Sequence, residues 1–261
     1  ARLEVNVHIV TGSVTSAQNI IKCCNQSGLD VEDIVLEPLS SSQAVLSSDE
    51  QEVGVVLVDI GGGTTDVTVY SEGSIVHTAV LALGGNHLTH DIAIGLGAPL
   101  REAEEIKHKY GVAMVSMVEE DEMIDVPSVG GRNNRTMKKR VLASIIEDRF
   151  REIFELIAHE IEKTPFHTLM ASGVVITGGT CIMSGADRLA SKVLNLPVRG
   201  GYPENISGLR EMIYSPKYAT SVGLVRYGIT SNQGKLNFAG DDTNLFHKES
   251  RRMKDWMQDF F

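Results

Sequence analysis

The sequence lacks the marks of a secreted, zinc-binding or membrane-spanning protein. Its 261 residues include only three cysteines, none in C-x-x-C spacing, and the adjacent Cys23 and Cys24 cannot easily bridge each other. This cysteine usage favours a reducing cytosol and no metal-thiolate site. No apolar run approaches the roughly 18 residues that a membrane-spanning helix needs, and no signal peptide is recognisable.

Positive charge is also scarce. The chain carries 24 Lys and Arg against 34 Asp and Glu, a formal net charge of −10. Because nucleic acid is itself negative, it is a poor partner for this chain. The hydrophobic content of 42% is ordinary for a globular protein of one large or two medium domains. The chain begins at Ala1 rather than Met, within a predicted strand, so we expect a fragment that lacks an N-terminal portion.

The most informative stretch is a glycine-tipped hairpin predicted at Val55–Tyr70, VVLVDIGGGTTDVTVY. Its first half is a continuous aliphatic run, typical of a strand buried on both faces. After Thr65, apolar and polar residues alternate, which predicts a second strand. Between the two strands, Gly61, Gly62 and Gly63 predict a tight turn with positive φ and exposed backbone amides.

The residues around this turn favour a phosphate and a metal ion. Exposed amides suit a phosphate, as do the hydroxyls of Thr64 and Thr65. The carboxylates of Asp59 and Asp66 suit a hydrated Mg²⁺, which prefers oxygen ligands and retains several waters. Asp59 is also the candidate to orient a water or metal for hydrolysis. The alternative is an ordinary hairpin with a flexible turn.

The string D-x-G-G-G-T-x-D resembles the second phosphate loop of the actin, Hsp70 and sugar-kinase superfamily. It differs from a Walker A loop because no lysine follows the glycines, and from a Rossmann fingerprint because a strand follows them. The flanking pattern predicts an α/β unit. We expect strands at 3–10, 31–36 and 75–83, helices ending near residues 27 and 46, and an exposed acidic turn at 49–52.

Two later segments extend the candidate nucleotide site. Gly84 and Gly85 are predicted to open a helix whose first amides could receive an anion. The next helix, at 100–110, places Glu104 and Lys107 on one face. As a surface ion pair they would contribute only about 0.2–0.5 kcal/mol. The resemblance implies instead that they contact the nucleoside, since the superfamily has a Glu and a Lys on the corresponding helix.

A second glycine turn follows a predicted strand at 173–177 and is predicted to open a helix that runs to about residue 193. There, Gly178, Gly179 and Thr180 resemble the superfamily's adenosine motif, in which glycines let the backbone approach the nucleoside. The predicted helix at 214–227 carries small residues and resembles the helix that returns between the lobes. A bare Gly-Gly is a common turn, so the resemblance depends on its position after the phosphate hairpin.

A local positive patch stands out in this acidic chain. Strands are predicted at 112–117 and 123–126, and Thr136 is predicted to cap a long helix that runs to about residue 163. Five basic residues surround the start of that helix: Arg132, Arg135, Lys138, Lys139 and Arg140. The patch is either a solvated face or a surface for an acidic partner peptide.

The end of the chain reads as a tethered amphipathic helix. Residues 231–243 are polar and glycine-bearing, which predicts a flexible linker. Beyond them, five apolar residues recur at helical spacing: Phe246, Met253, Trp256, Met257 and Phe260. Either this helix packs back on the body or it is an interfacial membrane anchor, the reading favoured by its basic opposite face. One such tail should bind weakly, and several tails on an oligomer should bind by avidity.

The chain as a whole resembles the FtsA family of bacterial cell-division proteins. The resemblance rests on VGVVLVDIGGGTTDVTVY, DVPSVGGR, GVVITGGT, YATSVGLVRYG and the tethered tail. It implies an α/β, actin-like (ribonuclease H-like) ATPase fold, mainly the second lobe with the end of the first, plus a C-terminal amphipathic helix. Only one of the superfamily's two phosphate loops is present, which puts ATP binding by this fragment alone in doubt.

The resemblance also implies a domain order. We expect the end of the first lobe at 1–50 and a nucleotide-binding core at 51–111. A partner-binding subdomain is expected at 112–163, and the rest of the core with its return helix at 164–228. The linker and the membrane-targeting helix would occupy 229–244 and 245–261.

The implied function is that of an ATP-binding adaptor with weak ATPase activity at most. Its implied cofactors are ATP and Mg²⁺. Its implied partners are the acidic C-terminal peptide of the tubulin-like FtsZ, further copies of itself in actin-like filaments, the cytoplasmic face of the cell membrane at the division site, and later division proteins. Alternatives on the same fold are a pilus-assembly adaptor, an Hsp70-like chaperone and a sugar kinase.

Overall fold

The computed structural model describes residues 2–3, 7–127, 134–164, 171–204, 206 and 210–238, with only the backbone described for residues 210 and 232–238. Its helices are α1 (Val14–Gln26), α2 (Glu37–Val45), α3 (Ser48–Val53), α4 (Gly85–Leu96), α5 (Leu100–Tyr110), α6 (Lys139–Glu162), α7 (Ala186–Leu194), α8 (Arg210–Ile213) and α9 (Ala219–Phe238). Short 3₁₀ turns lie at Val115–Met117, Gly179–Ile182 and Pro216–Tyr218.

A five-stranded sheet lies at the centre of the described residues. Its strands are β1 (Val55–Ile60), β2 (Thr65–Ser71), β3 (Ser74–Leu81), β6 (Val174–Thr177) and β7 (Val198–Gly200). Their order across the sheet is β3-β2-β1-β6-β7. The first three run antiparallel as consecutive hairpins, whereas β6 is parallel to both β1 and β7. The predicted hairpin is therefore confirmed, and β1 lies at the centre of the sheet.

The aliphatic run of β1 is explained by burial on both faces. Val56, Val58 and Ile60 pack in the larger core with residues of α4, α6 and α7. Val55 and Leu57 face the smaller core with residues of α2 and α9. The sheet is thus the middle of three layers, and a strand with helices on both sides reads as continuously apolar.

Helix α6 supplies much of the larger core. Its fully buried aromatic pair, Phe150 and Phe154, stacks with ring centroids 5.6 Å apart. Burying a side chain of this size stabilises the fold by about 1.5–3 kcal/mol. The helix begins at Lys139, not at Thr136 as predicted, because 135–138 form strand β5 (Arg135–Lys138) paired with β4 (Met123–Val126).

The first part of the chain contains two incorrect predictions. Residues 31–36 do not form a strand. The strand expected at 3–10 is also absent at residue 3 and at residues 7–10, and its residues 4–6 lie outside the described ranges. A strand needs a hydrogen-bonded neighbour, and the described sheets provide none beside either segment.

Three further expectations were wrong in detail. The acidic turn at 49–52 is part of α3, because Ser47 and Glu50 form a reciprocal capping box. Of the strand expected at 112–117, only Val112 forms an isolated bridge, to Ser184. The helix expected after the second glycine turn is a 3₁₀ turn followed by α7, separated at Gly185, whose φ is +85°.

The last described helix is longer than predicted. Helix α9 continues to Phe238, so residues 231–238 are helical where the sequence predicted a flexible linker. The predicted membrane-facing residues Phe246, Met253, Trp256, Met257 and Phe260 lie outside the described residues. Within the described part of the chain, no helix is both long and apolar enough to cross a membrane.

Candidate functional site

The tip of the β1–β2 hairpin forms a bare backbone loop. The amides of Gly62, Gly63 and Thr64 donate no hydrogen bond to any described residue, and all three residues are exposed. None of the three tip glycines has a positive φ, so the predicted reason for glycine was wrong. A Cβ would meet nothing within 4 Å at Gly63. The loop therefore leaves room and free donors for a ligand on its outer side.

The inner side of the loop is fastened to the start of α4. The amides of Gly85 and Asn86 donate to the carbonyls of Gly61 (3.0 Å) and Gly62 (2.8 Å). At Gly84, a Cβ would lie 2.7 Å from the Gly61 carbonyl oxygen. Glycine is thus required here by close backbone approach. The predicted role of these helix amides in anion binding is replaced by a structural one, since the hairpin carbonyls already occupy them.

The two tip threonines differ. Thr65 is fully buried, and its hydroxyl donates to the Leu83 carbonyl at 2.8 Å, so this predicted phosphate contact is directed into the protein. Thr64 is exposed, and its hydroxyl lies 3.4 Å from a carboxylate oxygen of Asp66. Of the two, only Thr64 is exposed at the hairpin tip.

Asp59 and Asp66 lie directly opposite each other across the β1–β2 ladder. We call them the hairpin carboxylates. Burial, with a smaller contribution from the negative charge of Glu37, raises the pKa of Asp59 above its usual value. Burial and the charges of Glu37 and Asp59 raise the pKa of Asp66 to about 6. Like charges that are shielded from water disfavour each other's ionisation. A cation placed here would therefore be stabilised by Asp59, Asp66 and Glu37.

Glu37 is a site residue that the sequence analysis missed. It is the first residue of α2, whose N-terminal turn is set by Pro38. Its charge acts on both hairpin carboxylates. The local signal, Glu-Pro at a helix start, is present in the sequence, but only the packing of α2 against the sheet brings it near the hairpin. No group of three or more metal-ligating residues occurs among the described residues.

The predicted nucleoside residues form a second charged region, which we call the α5 pair. The ammonium of Lys107 donates to Glu104 (2.7 Å), Thr89 (2.7 Å) and the Gly85 carbonyl (3.1 Å). All three of its protons are therefore used. Burial would raise the pKa of Glu104, but hydrogen bonds from Lys107 and Thr89 and the Lys107 charge outweigh burial and hold it below the usual value.

The second glycine turn meets the hairpin tip. The hydroxyl of Thr180 donates to the Gly61 carbonyl at 2.8 Å. Gly178 has φ +95°, and a Cβ there would lie 2.4 Å from the Ile60 carbonyl oxygen and 2.5 Å from Oδ1 of Asp59. Both the backbone conformation and the proximity of Asp59 therefore require glycine at this position. The structure thus brings the tip of the hairpin, α4 and the second glycine turn to one point.

Beside this point lies a cleft of about 440 Å³. Glu104, Lys107, Gly179 and Thr180, which the resemblance assigns to the nucleoside, line this cleft, as do Gly62 and Gly85. Seven further lining residues were missed: Asn86, His108, Gly111, Ile182, Met183, Ser184 and Lys217. They come from four separate parts of the chain, and nothing in the sequence alone indicates that they meet.

The basic patch is smaller in the structure than in the sequence. The guanidinium of Arg135 donates to the Leu96 carbonyl, and the ammonium of Lys139 pairs with Glu122 at 2.8 Å. Lys138 is exposed and Arg140 is half-buried, and neither forms an ion pair with a described residue. Arg132 lies outside the described residues. Two of the five basic side chains are therefore committed to holding β5 and the start of α6.

Comparison with known proteins identifies relatives of this chain. A family model described as "Cell division protein FtsA" matches residues 56–223. A Pseudomonas aeruginosa protein named cell division protein FtsA is 42% identical over 265 residues, covering 100% of this chain and 64% of that protein. The protein of the same name from Escherichia coli K12 is 38% identical over 268 residues, with the same two coverages.

Solved structures show the same architecture. MreB5 of Spiroplasma citri bound to ADP matches with a TM-score of 0.70 at 18% identity, covering 87% of this chain and 68% of that one. The PilM–PilN type IV pilus biogenesis complex matches with a TM-score of 0.60 at 17% identity, covering 82% and 57%. At these identities the likeness is one of fold, and it confirms the expected α/β, actin-like fold.

The chain spans 64% of the length of the Pseudomonas and Escherichia relatives. The family match extends from the second residue of β1 into α9, and so includes the hairpin, both glycine turns and the cleft. Identity of 38–42% over the whole chain agrees with it. On this sequence and this fold, the chain belongs to the FtsA family of cell division proteins.

Proposed function

We propose that the protein is an ATP-binding, actin-like adaptor that links the FtsZ ring to the cytoplasmic face of the cell membrane at the division site. Membership of the FtsA family supports the division role. The observation that carries the nucleotide part is the bare backbone tip of the hairpin beside a cleft of suitable size. Nucleotide acts mainly as a switch for polymerisation, and turnover is weak at most.

The phosphates would be held at the hairpin tip. Free amides at Gly62, Gly63 and Thr64 supply donors to phosphate oxygens, and the absence of side chains lets phosphate approach the backbone. The nucleoside would lie in the cleft against Glu104, Gly179 and Thr180. MreB5 from Spiroplasma citri, which has this fold, has been solved in two structures, one bound to ADP and one bound to AMPPNP.

Mg²⁺ suits the hairpin carboxylates. Two buried acids with raised pKa values, plus the nearby charge of Glu37, form a negative region, and no basic side chain in the described part of the chain pairs with either acid. Mg²⁺ bound with nucleotide would supply that charge and would polarise the terminal phosphate. Because no three described ligands converge, water and phosphate oxygens would complete its coordination. Asp59 is the proposed residue to orient a water or the hydrated metal.

The nucleotide proposal is tested with a matched pair of variants on α5. Glu104→Gln removes a charged cleft residue, whereas Glu105→Gln changes an exposed neighbour paired only with Arg101. We expect Glu104→Gln to weaken binding of ATP about tenfold, the size of one charge-assisted hydrogen bond, and Glu105→Gln to leave it unchanged. Calorimetric titration measures both. Equal affinities of the two variants would contradict the proposed nucleoside contact.

The partner proposal concerns the surface of β5 and α6. Lys138 and Arg140 are the described basic residues left to receive the acidic C-terminal peptide of FtsZ. We expect Lys138→Glu combined with Arg140→Glu to abolish binding of that peptide, measured by fluorescence anisotropy. Lys22→Glu combined with Lys192→Glu, two exposed changes on α1 and α7, serves as the charge-matched control. If the control weakens binding as much, the attraction is general and not site-specific.

The membrane proposal rests on the sequence of residues 245–261. Flotation on anionic liposomes compares the intact chain with one ending at Thr243 and with Trp256→Glu. We expect only the intact chain to float, because Trp256 and its apolar neighbours would insert at the lipid interface. Equal behaviour of all three would mean that the tail does not anchor the protein.

A further inference from the structure

Asp59 is held by hydroxyls from two different helices. The Ser41 hydroxyl, on α2, donates to Oδ2 of Asp59 at 2.7 Å. The Thr220 hydroxyl, on α9, lies 3.0 Å from Oγ of Ser41 and so reaches Asp59 through that serine. On the other side, Oδ1 of Asp59 faces the backbone of Gly178, where no side chain would fit. Both carboxylate oxygens are therefore constrained.

The direction of these hydrogen bonds follows from proton counting. A serine hydroxyl has one proton, and that of Ser41 goes to Asp59. In the contact between the two hydroxyls, Thr220 is therefore the donor and Ser41 the acceptor. The result is an ordered chain from Thr220 through Ser41 to Asp59, in which each bond polarises the next.

The two helices meet at this point with their backbones in contact. At Gly223, a Cβ would lie 1.7 Å from the Ser40 carbonyl oxygen, so only glycine permits the crossing. The Ser40 hydroxyl donates to the Thr220 carbonyl at 2.7 Å. Ser40 and Ser41 are fully buried. A buried hydroxyl is costly unless it is hydrogen-bonded, so these serines are explained by their partners at the crossing.

We propose that Ser41 and Thr220 are positioning residues for Asp59, which tie its carboxylate to the crossing of α2 and α9. The inference rests on the proposed function, because it gives Asp59 the task of orienting hydrated Mg²⁺ with bound nucleotide. A change in the angle between the two helices must then release or turn the carboxylate. In the reverse direction, metal held at Asp59 favours one crossing geometry.

Thr220 offers a matched pair of variants. Thr220→Val keeps the shape and removes the hydroxyl, and Thr220→Ser keeps the hydroxyl. Ser41→Ala removes the other hydroxyl. We expect Thr220→Val and Ser41→Ala to raise the Mg²⁺ concentration that half-saturates ATP binding by about tenfold, equal to about 1.4 kcal/mol. Thr220→Ser should restore the wild-type value, and ATP affinity measured in EDTA should be the same in all four proteins.

A second measurement needs no nucleotide. In the free protein, we expect faster hydrogen exchange of the amides of α2 and of residues 219–230 in Thr220→Val and Ser41→Ala, and wild-type exchange in Thr220→Ser. If wild type binds no ATP, the proposed function fails and the inference fails with it, whereas an Mg²⁺ requirement that neither variant changes overturns the inference alone. If exchange rises but the Mg²⁺ requirement does not, the hydroxyls only stabilise the crossing. That result, or equal behaviour of Thr220→Val and Thr220→Ser, overturns the inference.

Discussion

The hairpin carboxylates and the α5 pair are two acidic regions of one site with opposite electrostatics. Asp59 and Asp66 are buried beside each other and beside Glu37, and their pKa values are raised. Glu104 is paired with Lys107, and its pKa is lowered. Glu104 has a basic partner on its own helix, whereas no described basic side chain forms an ion pair with Asp59 or Asp66. The same carboxylate chemistry is thus neutralised in one region and left charged against like charge in the other.

The difference follows from what packs against each carboxylate. Helix α5 places Lys107 one turn from Glu104, where Thr89 and the Gly85 carbonyl also receive its protons. The β1–β2 register places two acids face to face, and no described basic side chain forms an ion pair with either. Changes at the two regions should therefore have different consequences.

The largest effect is expected from Gly178→Ala, which would disrupt the packing around the hairpin carboxylates and leave the α5 pair unchanged. The new Cβ would overlap the Ile60 carbonyl and Asp59, and alanine is strained at φ +95°. We expect a loss of about 3 kcal/mol or more in the free energy of unfolding, measured by urea denaturation. Gly63→Ala is the control, since its Cβ meets nothing, and it should change stability by less than about 1 kcal/mol. Similar losses in both variants would contradict the steric argument.

Lys107→Met tests whether the α5 pair is a scaffold. The change removes the ammonium that donates to Glu104, Thr89 and the Gly85 carbonyl, and the one proton of the Thr89 hydroxyl can then serve either Glu104 or Gly85 but not both. We expect the unfolding free energy to fall by about 2 kcal/mol. On the same helix, Lys109→Met alters an exposed ammonium stacked on Tyr110 and should cost less than about 1 kcal/mol. If the two variants were equally stable, the hydrogen bonds of Lys107 would not stabilise the fold.

Asp66→Asn sharpens the comparison through pH. Because folding raises the pKa of Asp66 from 3.8 to about 6, its contribution to stability is full below pH 4 and is lost as pH rises through 6. Without Mg²⁺, the variant should therefore be more stable than wild type at pH 8, by about 1.5 kcal/mol, and equal to it near pH 4. Unfolding curves at the two pH values measure the difference. An advantage that is the same at both would contradict the raised pKa.

Glu104→Gln should show the opposite pH dependence and the smallest effect. A lowered pKa means that the contribution of Glu104 is present above its unfolded value of 4.5 and is lost as pH falls through the folded value. Since this side chain is 40% exposed, solvent reduces the effect to less than about 1 kcal/mol. The variant should be less stable than wild type at pH 8 and converge with it in acid. A constant difference would mean that the charge of Glu104 contributes nothing.

Sequence reasoning succeeded where a segment carries its own constraint. The aliphatic run of β1 needs burial on both faces, and the alternation in β2 needs a partner strand, so the hairpin followed directly. Glu104, Lys107, Gly179 and Thr180 line one cleft, and their contact with a nucleoside stays a prediction. The capping box of Ser47 and Glu50 is an equally local signal, but the sequence analysis did not use it.

Sequence reasoning failed where the outcome depends on a distant partner. Thr64 and Thr65 have the same chemistry, but the strand pleat turns Thr65 into the protein toward Leu83. Gly84 and Gly85 predicted an anion site at the start of α4, but the carbonyls of the hairpin tip accept the hydrogen bonds of the helix amides instead. The strand expected at 31–36 has no described neighbour with which to pair.

By itself the sequence determined the central hairpin, the order of the two glycine turns and the family, because these depend on local backbone preference and on motifs along the chain. Only the tertiary structure decided which polar groups face each other. The hydroxyls of Ser41 and Thr220 are 179 positions apart, and Glu37 precedes the hairpin it influences. Such proximity arises from helices crossing over a sheet, and no local pattern encodes the distance between residues that pack together.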